Sequence, residues 1–276
     1  MSWRLGITHE TGYRYQSDVT SSYNEARMSP LTTDRQMVVQ SQVRVDPSVR
    51  TYRYWDYWGT IVDAFDIHLP HQELIITGES VVETSPPKPL PEPVEWSDLA
   101  TDAVKDEFGE FLSPTDYVAL MDDARDEIRD AGNPVDACLA AGEWVRSKLQ
   151  YEQGATTVSS SAADALSEGR GVCQDFAHVT LARLRAAGIP GRYVSGYLYP
   201  GDEEGPGTVV GQSHAWIEAW IGEWCAFDPT SGAEPGERHV VVARGRDYAD
   251  VAPLKGIYHG GQAADMHVMV ELSRLA

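Results

Sequence analysis

The stretch Gly169-Arg170-Gly171-Val172-Cys173-Gln174-Asp175-Phe176 sets a glycine-flanked turn directly before a cysteine. An apolar run with helical spacing follows: Phe176, Ala177, Val179, Leu181 and Leu184. It stops at Ala187-Gly188-Ile189-Pro190, a glycine past a helix end with a proline soon after. The spacing therefore predicts a buried helix that begins at Cys173. Unpaired backbone N–H groups and the helix dipole favour an anion in a first turn, and a thiolate is one. Cys173 is thus a candidate nucleophile that needs a base and an orienting group from elsewhere.

The sequence on either side supplies the fold class. Short alternating runs fill residues 1–83: His9 to Tyr15, Met37 to Val45, Thr51 to Gly59, Ile61 to Ile67 and Glu73 to Thr77. With turn residues between them they predict an antiparallel, sandwich-like N-terminal domain. The aromatic cluster Tyr52, Tyr54, Trp55, Tyr57 and Trp58 is read as cross-strand and core packing. Residues 84–96 hold five prolines and read as a stiff linker. Helical patterns follow over Asp116–Ile128, from Asn133-Pro134 to Leu149, and over Ser161–Glu168. After the Cys173 helix the period changes to two: Arg192–Tyr199, His214–Ile221, Trp224–Asp228, Val240–Ala243 and Met266–Leu272 read as strands. A helical block followed by antiparallel strands makes residues 97–276 an α+β domain.

Thiol catalysis needs a base beside the sulfur and a group that orients the base. His178 is excluded by angle, lying about 140° around the helix from Cys173. His9, His68 and His71 fall in the N-terminal strands, and His239, His259 and His267 have no partner at a suggestive spacing. His214 opens a strand whose partner ends in Phe227-Asp228-Pro229, so His214 and Asp228 meet at one sheet edge. Their faces agree only for certain registers. A two-residue Gly222-Glu223 turn would put them on opposite faces. A loop of odd length, or a bulge, would put Asp228 opposite Trp216 and diagonal to His214. The odd loop or bulge is the prediction. The same alternation turns Cys225 to the core, and Cys138 lies on an apolar helix stripe.

Four strings carry a resemblance: Gly-Val-Cys-Gln-Asp-Phe-Ala-His (171–178), Gly-Ile-Pro-Gly-Arg-Tyr-Val-Ser-Gly-Tyr (188–197), Ser-His-Ala-Trp-Ile-Glu-Ala-Trp (213–220) and Trp-Cys-Ala-Phe-Asp-Pro-Thr (224–230). Together with Gly245-Arg246-Asp247-Tyr248-Ala249-Asp250-Val251 and the β-rich start, they resemble the bacterial transglutaminase-like family of proposed cysteine proteases. The resemblance implies a papain-like catalytic core with Cys173 as nucleophile, His214 as base and Asp228 as orienter. It leaves the substrate open, since that superfamily spans cross-linking transferases, proteases, amidases and inactive members. The Cys173 N–H is the expected first oxyanion donor, and Tyr151, in the region where related enzymes place a polar or aromatic side chain, is the candidate second, set against its reading as a packing tyrosine. Asp175 is read as a dipole-compensating acid, and Asp247 and Asp250 as structural partners of arginines such as Arg192 or Arg246.

Bulk composition narrows the function further. Lys and Arg number 22 against 42 Asp and Glu, a net charge of −20. Such a surface repels nucleic acid and anionic membranes. The partner expected is therefore a peptide or protein substrate, with oligomeric state left open. Three cysteines, 35 and 52 residues apart, fit neither a disulfide framework nor a zinc pattern. No phosphate loop or dinucleotide fingerprint is present, so no cofactor and no metal are expected. With no signal-like N-terminus and sparse thiols, a cytoplasmic enzyme is expected. The loop 200–207 reads as a solvated hairpin loop. The reading is an amide-directed cysteine enzyme, with hydrolysis favoured over amine transfer. Its rivals are a catalytically silent binding module on the same scaffold and a redox protein, the latter disfavoured because no resolving cysteine lies near Cys173.

Overall fold

A computed structural model describes residues 2–200 and 207–275. Five strands come first: β1 (Trp3–Ala26), β2 (Gln36–Asp46), β3 (Tyr52–Trp55), β4 (Ile61–Ile67) and β5 (His71–Thr84). β1 is the spine. Its first half pairs with β5 from Trp3↔Thr84 to Arg14↔Glu73, and its second half with β4 from Ser22↔Ile67 to Ala26↔Asp63. Register breaks between Arg14 and Ser21 mark where the strand bends. The bend curls the sheet over itself. Tyr15, Val19, Phe65 and Ile67 thereby meet Val43, Val45, Leu74 and Ile76 in one buried cluster, the sandwich-like packing that alternation foretold. The aromatic cluster departs from expectation: Tyr52, Trp55 and Tyr57 are largely exposed. β3 is a four-residue strand at the end of the sheet, beyond the reach of a covering layer.

Residues 85–95 carry no regular structure and lead to α1 (Trp96–Leu99) and α2 (Asp102–Leu112). The helix expected from Asp116 is shorter, a single 3₁₀ turn over Asp122–Ala124 continuing into α3 (Arg125–Asp130). Thr115 and Val118 exchange backbone hydrogen bonds in a tight turn, and the Thr115 hydroxyl accepts the Val118 N–H, so the chain here turns instead of coiling. α4 (Pro134–Lys148) starts where Asn133 accepts the N–H groups of Val135 and Asp136, with Pro134 in its first turn. Then come β6 (Gln150–Tyr151), α5 (Ala162–Glu168), β7 (Arg170–Gly171) and α6 (Cys173–Ala187). α6 is buried from Gln174 to its end and is enclosed by α3, α4, α5, β8 and β9.

The second half of the sheet comprises β8 (Gly191–Leu198), β9 (Gly207–Trp220), β10 (Trp224–Phe227) and β11 (His239–Gly245). A short α7 (Tyr248–Val251) precedes β12 (Leu254–Gly260) and β13 (Ala263–Arg274). The strand order is β11-β8-β9-β13-β1-β4-β3, with β10 also on β9 and β12 also on β1. β9 is therefore shared. Residues 207–211 pair with β13, while residues 212–219 pair with β8. Trp3, Leu5, Ile7 and Val82 join the same core as Phe176, Leu181 and Ile217, so apolar packing runs unbroken from the N-terminal strands to α6. The last two strands lie on β1, at the N-terminal end of the molecule. Among the described residues, no helix is long and apolar enough to cross a membrane.

Candidate active site

Cys173 is the first residue of α6, partly buried and free of any disulfide. Its position is fixed from both sides. The turn before it is tied to β6 by a short parallel ladder, Gln150↔Arg170 and Tyr151↔Gly171. On the helix side, Asp175 reaches back to accept the Val172 N–H at 2.7 Å and the Thr156 hydroxyl at 2.6 Å. Burial raises the Asp175 carboxyl despite these bonds. Gly171 has to be glycine: a Cβ there would lie 2.6 Å from Asp175 Oδ2 and 2.7 Å from its Cβ. The glycine quoted at the outset thus makes room for the acid that caps the cysteine helix.

The β9–β10 hairpin brings up the other two groups. Its ladder runs from Trp224↔Trp220 to Phe227↔Ile217, so the loop is Ile221-Gly222-Glu223, three residues long. Continued one step, the register sets Asp228 opposite Trp216, on the face of His214. The His214 Nε2 lies 2.9 Å from Asp228 Oδ2, and the same ring lies close enough to the Cys173 thiol for the sulfur to raise its pKa. With Nε2 engaged by the carboxylate, Nδ1 is the nitrogen on the thiol side. Burial disfavours charge on His214, yet its bond to Asp228 and the nearby Cys173 sulfur raise its pKa to about 9. Asp228 is buried but held well below the usual carboxylate range by donors from His214, His239 and Ser231. Its Oδ1 also accepts the Thr230 N–H at 2.9 Å, and Oδ2 the Ser231 hydroxyl at 2.7 Å.

His239 corrects the sequence reading, which gave it no partner. Its Nε2 lies 3.5 Å from Asp228 Oδ2, and its ring stands edge-on to Trp216 at 5.3 Å. It comes from β11, the strand that follows the hairpin, which pairs with β8 rather than with β9 or β10, so alternation within the hairpin carries no signal for it. His214 Nε2, Asp228 Oδ2 and His239 Nε2 lie within 4.8 Å of one another. Among the described residues they are the one His/Cys/Asp/Glu group spaced to hold a metal, and a metal there would displace the His214–Asp228 bond.

Tyr151 sits close enough to Cys173 that burial and the sulfur together raise its hydroxyl pKa. Its ring leans on Phe176, with centroids 6.4 Å apart. His178 serves the core, as its angle requires: Nε2 accepts the Tyr248 N–H at 3.2 Å, and burial lowers its pKa to about 3. Asp250 pairs with Arg246 at 2.9 Å, as expected of a structural acid. Asp247 differs, capping α7 by accepting the Ala249 N–H. Arg192 pairs with Glu218, which Arg244 also binds at 2.9 Å through each carboxylate oxygen. A cavity of about 590 Å³ opens behind Asp228, lined by Trp216, His239 and this Arg192–Glu218–Arg244 group but by neither Cys173 nor His214. Residues 201–206, most of the expected hairpin loop, lie outside the described residues.

Known proteins share this arrangement of chain. Residues 5–83 match the bacterial transglutaminase-like N-terminal region, and residues 122–229 the transglutaminase-like superfamily. The uncharacterized protein ML0607 of Mycobacterium leprae is 50% identical over 278 residues, covering 99% of this chain and 100% of that one. A protein-glutamine gamma-glutamyltransferase of Pseudomonas aeruginosa is 34% identical over 155 residues, 49% of this chain and 22% of that protein. A solved structure of a proposed cysteine protease from Cytophaga hutchinsonii superposes with a TM-score of 0.77 at 25% identity, covering 98% of this chain and 90% of that one. Both halves of the sequence, in their order and over nearly their whole length, thus have the same kin: the chain belongs to the bacterial transglutaminase-like family.

Proposed function

We propose that the protein is a cysteine enzyme that acts on amide carbonyls through a Cys173–His214–Asp228 triad. The transglutaminase-like fold supports cysteine-based chemistry on amides in general. The observation that carries the finer reading is the position of one imidazole, bonded to a buried carboxylate through Nε2 and beside a helix-start thiol. In this reading His214 takes the thiol proton on Nδ1, and Asp228 stabilises the imidazolium and holds the ring. The Cys173 sulfur attacks a peptide or glutamine-type carbonyl. The resulting oxyanion is received by the Cys173 N–H in the unpaired first turn of α6, with the Tyr151 hydroxyl as second donor. Collapse expels an amine or ammonia, which takes its proton from His214, and leaves a thioester. Water, deprotonated by His214, then releases the acid and the thiol. Hydrolysis is preferred to amine transfer because no side chain among the described residues marks a dedicated amine site. Three free thiols suit a reducing compartment such as the cytoplasm.

Iodoacetamide labelling near pH 7 tests the activated thiol. Cys173 should alkylate well ahead of Cys138 and Cys225, whose burial raises them to beyond the usual thiol range and to about 11 respectively. Turnover of short peptides and glutamine amides, wild type against Cys173→Ala, tests the chemistry. Equal alkylation of all three cysteines, or an absence of Cys173-dependent turnover, overturns the reading.

A further inference from the structure

His239 carries an N–H whose destination is restricted to one group. Its Nδ1 accepts the Gly236 N–H at 3.3 Å. A protonated Nδ1 would point its hydrogen at that donor, so the ring is neutral with its hydrogen on Nε2. Burial, which lowers the His239 pKa, favours the same neutral form. The Nε2 atom is buried and makes no hydrogen bond of ordinary geometry, and the acceptor it faces, Asp228 Oδ2, lies 3.5 Å away. Two further donors converge on that oxygen, His214 Nε2 at 2.9 Å and the Ser231 hydroxyl at 2.7 Å. Trp216 walls the group, edge-on to His239 at 5.3 Å and stacked with His214 at 6.0 Å.

We propose that His239 is a positioning residue: its Nε2–H, held in one tautomer by Gly236, keeps the Asp228 carboxylate turned toward His214. A second imidazole on the same oxygen could have competed for the proton that passes between Cys173 and His214. His239 does not compete, because Gly236 occupies its only acceptor nitrogen. It thus orients without taking part, one step farther from the sulfur than Asp228. The effect on turnover rests on the cysteine-enzyme reading; the tautomer and the contact with Asp228 do not.

Two variants and one spectrum test this. His239→Phe keeps an aromatic ring against Trp216 but has no donor, and His239→Gln restores an amide donor of similar reach. Loss of this long N–H contact with a charged acceptor predicts ~10-fold slower alkylation of Cys173 in His239→Phe. The companion prediction is a lower kcat with KM unchanged, and His239→Gln within about threefold of wild type. Thermal melts of both variants identify any rate lost simply to unfolding. Long-range ¹H–¹⁵N spectra of the wild-type imidazoles should show His239 as the neutral Nε2–H tautomer from pH 6 to 8. An Nδ1–H tautomer or an imidazolium overturns the proposal, as does a folded His239→Phe that alkylates as fast as wild type. Should wild-type Cys173 itself be unreactive, the enzyme reading fails, and the spectrum still decides whether His239 donates to Asp228.

Discussion

Phe227 pairs with Ile217, and that pair is the last rung between β9 and β10. Every relation between His214 and Asp228 depends on where this rung falls. Strand alternation has a period of two, so one residue more or less in the loop turns Asp228 to the other face. Deleting Glu223 leaves a two-residue loop. The deletion variant should lose the fast alkylation of Cys173 as fully as Asp228→Ala does, by ~100-fold or more. Iodoacetamide rates at pH 7, with circular dichroism to verify the fold, check this. A deletion variant that keeps the wild-type rate would show that the register does not matter.

The pKa shifts give stability a definite pH dependence. His214 is raised from 6.5 to about 9. A raised histidine contributes stability that is fully present below its unfolded pKa and lost as pH climbs through the folded one. Unfolding free energy should therefore fall between about pH 6.5 and 9 in the wild type. Asp228 has the opposite sign: its contribution is present above its unfolded pKa of 3.8 and lost only as pH drops below that. Urea titrations at pH 6.5 and 9.5 should show a smaller difference for Asp228→Asn than for wild type. Equal differences would mean that Asp228 does not raise His214.

Gly171→Ala tests the entrance to the cysteine helix. The new methyl would press on Asp175 at 2.6–2.7 Å, a clash with a buried side chain already bonded to Val172 and Thr156. The expected cost is ~1–3 kcal/mol in urea denaturation, accompanied by slower Cys173 alkylation. A variant within ~0.5 kcal/mol of wild type would mean that Asp175 moves aside freely.

Glu218 stands between Arg192 and Arg244 and is itself buried, with Arg192 stacked over Trp224 at 4.0 Å. Glu218→Leu should destabilise by ~3–5 kcal/mol, because two guanidinium groups lose their shared counter-charge. Replacing all three residues by apolar ones of similar volume should recover most of that loss. If Glu218→Leu alone melts like wild type, the two arginines have found water instead.

Much of this was legible in the sequence because it is local. Asn133-Pro134, Ser161 and the Gly188-Ile189-Pro190 stop each punctuate a helix through bonds within a few residues. The sheet edge shared by His214 and Asp228 followed from strand order, while period-two parity left their common face open and only the requirement of a paired imidazole and carboxylate chose the odd loop. What stayed illegible is what the fold assembles from strands whose pairing the spacing does not give. His239 reaches Asp228 from β11. The Arg192–Glu218–Arg244 group draws on three separate strands, and spacing along the chain offered only Asp247 or Asp250 as partners for Arg192. The exposure of Tyr52 and Trp55 depends on β3 lying at the end of the sheet, which alternation alone does not reveal.

The sharing of β9 has a consequence for biosynthesis. The half of β9 just ahead of His214 is held by β13, and β13 in turn lies against β1. During translation the histidine, the aspartate and the cysteine all emerge before residues 263–274 do. Until that segment leaves the ribosome, β9 lacks its neighbour on one side and the curled sheet is open between its two halves. A nascent chain that has exposed residues 173–228 but not residues 263–274 therefore holds β8, β9 and β10 without the strand that joins them to the N-terminal sheet.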